Sequence, residues 1–233
     1  MKVTELGLNN EKTMLLLPGT ACSWEINFGN VIEDLQKKYH LICVNYDGFD
    51  EDSDTEFISM LDATKKIEDY IIEHHDGKLD GAYGSSLGGS FVGLLIQRKR
   101  IHIDHGLIGS SDLDQAGPFV AKLKTKLIAG LLYGSGQSTW KYSLICRMLK
   151  LFFGMEGDLK NTGLMVELKK SMKHRTKDTV FNEFYTDLIT PLENNIDIPG
   201  TKIHVIYALK MGVKYEKRYV KHFANVDLRR LDM

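Results

Sequence analysis

The chain is predicted to be an α/β protein: a mainly parallel sheet flanked by helices on both faces. Three observations predict it. Strand and helix signals alternate along most of the 233 residues, the strand signals are continuous apolar runs, and one strand passes through a glycine-rich turn directly into a helix. A continuous apolar run is what a strand needs when helices cover both faces of its sheet.

The elements follow in order. Met14-Leu15-Leu16-Leu17, closed by Pro18-Gly19, is the first clear strand. Trp24 to Tyr39 carries Trp24, Ile26, Phe28, Val31, Ile32 and Leu35 among charged residues, which predicts a helix. Leu41 to Tyr46 is the second strand, and it runs into an acidic loop, Asp47 to Asp54. A helix is expected from Thr55 to His74, with Phe57, Ile58, Leu61, Ile67, Tyr70 and Ile71 at helical spacing. Next come the strand and turn Leu79 to Ser90, the helical run Phe91 to Arg98, and the strand Ile101 to Gly109. Basic residues at the end of that helix suit its negative pole.

The alternation then breaks. From Gln115 to Lys177 there is no strand signal, only helical segments (Phe119 to Tyr133, Thr139 to Phe153, Leu164 to Met172) separated by glycine-containing breaks. The expected organisation is a core of residues 1–114 and 178–233 with a helical cap of 115–177. Sheet logic resumes with a helix at Asp178 to Ile189, the strand Lys202 to Ala208, a basic amphipathic helix Lys214 to Phe223, and Val226 to Arg229.

Composition excludes several classes. Lys plus Arg (30) nearly balances Asp plus Glu (31), and no basic stripe is interleaved with aromatics, so nucleic acid is not an expected partner. Cys22, Cys43 and Cys146 are odd in number and widely spaced, which supports neither a disulfide framework nor a CxxC metal site. No metal and no cofactor are expected. With no apolar signal core near Met1 and no apolar run long enough to span a bilayer, the expected location is the cytoplasm. The acidic loop Asp47 to Asp54 lacks the register of an EF-hand and reads as a solvated loop.

The chemistry is carried by Gly84-Ser85-Ser86-Leu87-Gly88-Gly89. In a G-x-S-x-G turn between strand and helix the serine sits at a strained backbone angle, and small residues two before and two after it avoid clashes. Gly84 and Gly88 fill those places, which points to Ser86 as a nucleophile. A glycine turn that merely packs tightly is the plainer reading; a phosphate loop would need a Gly-Lys-Ser/Thr ending that is absent. Cys22 has no strained turn to present it and reads as a small hydrophobe.

With this elbow, the loop Leu17-Pro18-Gly19-Thr20 and the late strand Ile203 to Ala208, the chain resembles the α/β-hydrolase superfamily from about Met14 to Leu231. The resemblance implies a serine hydrolase, esterase-like, with a helical lid. It also implies an oxyanion hole built from the amide of Thr20 or Ala21 together with that of Leu87. Family members place the triad acid just after the late strand, where Ala208 to Gly212 here offers no carboxylate. Asp112 and Glu216 are the two candidate replacements. The base should follow the last strand, yet only Asp232 and Met233 come after Leu231, as if the chain were truncated before its histidine. His222 is the one histidine late in the chain.

The expected substrate is a neutral, apolar acyl compound, a carboxylic ester first and amides or thioesters after it. With the base missing, weak activity or none is expected. The alternative is a non-catalytic binding module of the same fold that takes a small apolar ligand.

Overall fold

The computed structural model describes residues 1–50, 54–111, 113, 115–134, 175–209 and 212–232. These form a seven-stranded sheet in the order β1-β3-β2-β4-β5-β6-β7. The strands are β1 Lys2–Leu6, β2 Thr13–Leu17, β3 His40–Asn45, β4 Lys78–Ser85, β5 His102–Gly109, β6 Lys202–Ala208 and β7 Val226–Leu231. From β3 to β7 every pairing is parallel; β1 alone runs antiparallel, with Val3 opposite Val44. The helices are α1 Trp24–Leu35, α2 Met60–His74, α3 Leu87–Arg98, α4 Pro118–Gly134, α5 Lys177–Ile189 and α6 Val213–His222.

Side chains along a strand alternate between faces, so each apolar run feeds two cores. Leu15, Leu17, Ile42 and Val44 join Phe91, Ile67 and Tyr219 in the larger core. Leu16, Leu41 and Cys43 point the other way, onto Phe28 and Ile32 of α1. Beyond α1, that second face is continued in register by Tyr83, Leu107, His204 and Asp227, which are half-buried or exposed. There His204 bridges His105 (3.1 Å) and Asp227 (2.9 Å).

The structure differs from the sequence reading chiefly at β1 and at the start of α2, and α1 ends at Leu35 rather than Tyr39. β1 was not expected, because Lys2-Val3-Thr4-Glu5-Leu6 is a half-buried edge strand with little apolar content. The helix expected from Thr55 starts at Met60 instead. Ser59 caps it by accepting the Asp62 amide (3.1 Å), while Phe57 is used before the helix begins, buried against Tyr46 and Phe49. Of the expected cap, α4 and the start of α5 are described, and Ala116 N–H donates to Leu188 O (2.9 Å). The expected helices Thr139 to Phe153 and Leu164 to Met172 lie outside the described residues. Among the described residues no helix is long and apolar enough to cross a membrane.

Candidate active site

Ser86 joins β4 to α3 with φ 53° and ψ −115°, a backbone state that a residue with a Cβ rarely adopts. It is held there from both sides. Ser86 N–H donates to Gly109 O (2.8 Å), extending the β4–β5 ladder, while Ser86 O accepts from Gly89 N–H (2.9 Å) to start the helix. The turn is too tight for side chains. A Cβ at Gly84 would lie 2.0 Å from Gly88 O, and one at Gly88 would lie 2.1 Å from Leu17 O. The serine itself is exposed.

Strain gathers around this point. Ala21, Ser86, Ser110 and Leu113 all have positive φ without being glycine, and they follow the carboxyl ends of β2, β4 and β5. Those three strands are neighbours in the sheet. Such residues cost about 1–3 kcal/mol each and persist where the surroundings over-determine them, commonly at functional sites.

The loop after β2 is the second component. A Cβ placed on Gly19 would be 3.4 Å from Ser86 Cβ, so loop and elbow are in contact. Several polar groups of the loop have a defined partner. Pro18 O accepts from Tyr46 Oη (3.2 Å), Gly19 N–H donates to Asn27 Oδ1 (2.6 Å), and Cys22 N–H donates to Gly19 O (3.2 Å). Ala21 N–H donates to both carboxyl oxygens of Glu183 on α5, at 3.2 and 3.1 Å. Among the described residues nothing accepts from Thr20 N–H. Leu87, as the first residue of α3, also has no acceptor for its N–H within the helix. Of the two loop amides named from sequence, Ala21 is therefore engaged and Thr20 is open.

Glu183 was not singled out in the sequence, although a signal was present. It falls four residues after Thr179 and three after Val180, both buried, so a carboxylate sits on the buried stripe of its helix. It is 1% exposed. Burial pushes its carboxyl up to about 8; Asp187 pushes the same way, while the Ala21 amide and Arg175 oppose the rise. Burial and Glu183 together push the Cys22 thiol up to about 12, so Cys22 is no nucleophile. Ser90, Leu113 and Asp187 are among the residues lining a partly open pocket of about 20 Å³. That is room for a single water rather than an acyl chain.

The remaining candidates are dispersed. Asp112 lies outside the described residues. Glu216, in the first turn of α6, accepts from Arg230 (2.6 and 3.1 Å) and from Tyr207 Oη (3.2 Å), and Arg230 holds its carboxyl below the usual range. His222 is 2% exposed, with Nδ1 2.8 Å from Glu193 O, and burial lowers its basicity. Among the described residues no histidine is hydrogen-bonded to Ser86. His40 and His75 share Glu5, His74 meets Tyr70 O, and His102 pairs with Asp104. Asp47, which opens the acidic loop, is less solvated than expected: it is 6% exposed and pairs with the Met1 ammonium and Lys66.

No family model matches the sequence, and no curated protein matches it. Solved structures do match. A protein assigned to the alpha/beta hydrolase family from Desulfitobacterium hafniense superposes with a TM-score of 0.76 at 18% identity, covering 99% of this chain and 90% of its own. MenH from S. aureus gives 0.73 at 13% identity, over 99% and 88% of the two chains. A thermophilic esterase from Thermogutta terrifontis gives 0.75 at 12% identity, over 99% and 84%.

Proposed function

Since the chain has the α/β-hydrolase fold, we propose that it is a serine hydrolase-like protein whose Ser86 attacks neutral, apolar acyl compounds, carboxylic esters first. One observation carries the reading: an exposed serine is held in a left-handed backbone state at the carboxyl end of a central strand, in contact with a loop that leaves one amide open. Packing alone gives no reason to keep a residue with a Cβ in that state. The open N–H of Thr20 and that of Leu87 are the proposed pair of oxyanion donors, a pair being what a tetrahedral acyl intermediate requires.

The apolar preference has its own support. Phe119, Leu123 and Leu127, spaced by four along α4, are 83%, 64% and 53% exposed, so α4 offers an apolar stripe at the start of the proposed cap. The residues proposed as acid are Asp112 and Glu216. Because Glu216 is tied to Arg230 and His222 to Glu193 O, a slow reaction is expected. Losing a triad histidine costs about 10⁶-fold in turnover. That same engagement favours the second reading, a non-catalytic module that binds a small apolar ligand.

A fluorophosphonate probe tests the proposal. Ser86 Oγ would form a bond to phosphorus, fluoride would leave, and the hydroxyl proton would pass to solvent. Slow labelling that disappears in Ser86→Ala is the expected result. Labelling no faster than in Ser86→Ala, with saturable binding of an uncharged ester that is not turned over, would favour the module. Aryl esters of increasing acyl length, set against charged analogues, test the substrate class; faster turnover of the charged ones would contradict it.

A further inference from the structure

The loop after β2 owes its shape to side chains from three separate elements. Tyr46, just after β3, holds Pro18 O; Asn27, on α1, holds the Gly19 amide; Glu183, on α5, holds the Ala21 amide. The first two are ordinary neutral contacts. The third brings an ionisable group, 1% exposed, to the loop that touches the candidate nucleophile. Ala21 itself has φ 56°, a state that a residue with a Cβ rarely adopts.

We propose that Glu183 is a positioning residue for the reaction at Ser86: by taking the Ala21 amide it fixes the Gly19–Cys22 turn with Thr20 as the loop's donor to the substrate oxygen. This rests on the serine hydrolase reading above. Holding the loop needs only an acceptor oxygen; a carboxylate accepts more strongly, but the carbonyl oxygen of a neutral carboxyl also accepts. The charge state matters for a different reason. A carboxylate behind the oxyanion loop would repel the negative charge that develops on the substrate oxygen, and in a dry site that repulsion is large. The neutral form is thus the working form.

The groups facing Glu183 agree. Asp187, one turn further along α5, is a second carboxylate whose charge disfavours ionisation of the first. Arg175 favours it, but its guanidinium is directed to Gly48 O (2.8 Å) and Phe49 O (2.7 Å). Cys22 and Tyr46, whose own ionisation burial suppresses, complete the surroundings and add no charge. With the carboxyl pushed up to about 8, Glu183 loses its proton within a testable range.

The test compares Glu183→Gln, which keeps an acceptor, with Glu183→Leu, which does not, using fluorophosphonate labelling of the full chain from pH 6 to pH 9.5. Labelling of the parent chain should fall as pH rises through about 8, against the usual rise as serine and base deprotonate. Glu183→Gln should label within about threefold of the parent at pH 6.5 and lose that fall. Glu183→Leu, if its melting and circular dichroism show it folded, should label roughly 10²-fold slower, the typical effect of misplacing one oxyanion donor. A folded Glu183→Leu chain that labels at the parental rate would overturn the proposal, and so would a fall above pH 8 that persists in Glu183→Gln.

A second readout does not depend on the serine. The backbone amide resonance of Ala21 should titrate with a midpoint near 8 in the parent chain and stay still in Glu183→Gln. If the parent chain labels no faster than Ser86→Ala, the hydrolase reading has failed, and the hold on the loop is then decided by that resonance. An Ala21 amide that ignores pH removes it.

Discussion

Among the described residues two glutamates are wholly buried, and they are treated oppositely. Glu68, on α2, is 0% exposed and receives Arg98 at 2.7 and 3.1 Å and Arg100 at 2.8 Å. Arg98 closes α3, so this clamp ties two neighbouring helices together, and both arginines still reach solvent. Glu183 is as deeply placed, yet its hydrogen bonds go to a single backbone amide, and the favourable charge of Arg175 is set against a second carboxylate, Asp187, that opposes its ionisation. Burial of a carboxylate is tolerable when guanidinium groups meet it and costly when they do not. The first arrangement is structural. The second leaves a proton that can move at pH values the protein can meet, beside the loop that touches Ser86.

The largest expected effect tests that contrast through pH. A carboxyl raised from 4.5 to about 8 is protonated in the folded protein across a window where the unfolded chain has lost its proton. Stability is therefore fully present below about 4.5, falls as pH rises, and has lost the contribution above about 8. The difference between Glu183→Gln and the parent, measured by chemical denaturation, should grow in favour of the variant between pH 5 and pH 8.5, by at most about 5 kcal/mol. A constant difference would mean that Glu183 is as well compensated as Glu68.

Next is Gly88→Ala. The new methyl would meet the Leu17 carbonyl at 2.1 Å, and because that neighbour is backbone it has no rotamer by which to yield. A loss of about 3 kcal/mol or more is expected, and with it a melting temperature lower by roughly 6–12 °C. Near-parental melting would show that the elbow is looser than its geometry indicates.

Smaller again is Glu68→Leu, which removes the clamp but leaves arginines that can turn to water. About 2 kcal/mol should be lost in chemical denaturation. Parental stability in this variant would show that the clamp between α2 and α3 contributes nothing.

The smallest effect has the opposite sign. Ser86→Gly relieves the left-handed strain and should raise stability by about 1 kcal/mol while abolishing probe labelling. A destabilised Ser86→Gly would mean that the hydroxyl, rather than the backbone, accounts for the conformation.

Much of this architecture was legible residue by residue. The runs Met14 to Leu17 and Leu41 to Tyr46 read as buried strands because apolar residues follow one another on both faces, and each feeds both cores. The turn at Ser86 was legible because Gly84 and Gly88 have no room for a Cβ, a requirement that sequence records directly. β1 was not legible, since an edge strand needs one partner and little apolar surface. The start of α2 was misread because Phe57 serves the core from an extended segment at a spacing that mimics a helix.

The candidate site divides the same way. Local sequence determined the elbow, because its shape depends on the glycines two residues to either side of Ser86. Which loop amide remains open is another matter. Thr20 and Ala21 are adjacent and equivalent in sequence; what separates them is Glu183, 162 residues away along the chain from Ala21 and brought to it by the packing of α5. The same holds for Glu216 and His222, whose engagement with Arg230 and the Glu193 carbonyl depends on how α6 lies against β7 and the segment before β6. A side chain's charge is written in the sequence, but its protonation and its partners are set by what surrounds it in space, and only the tertiary structure supplies those surroundings.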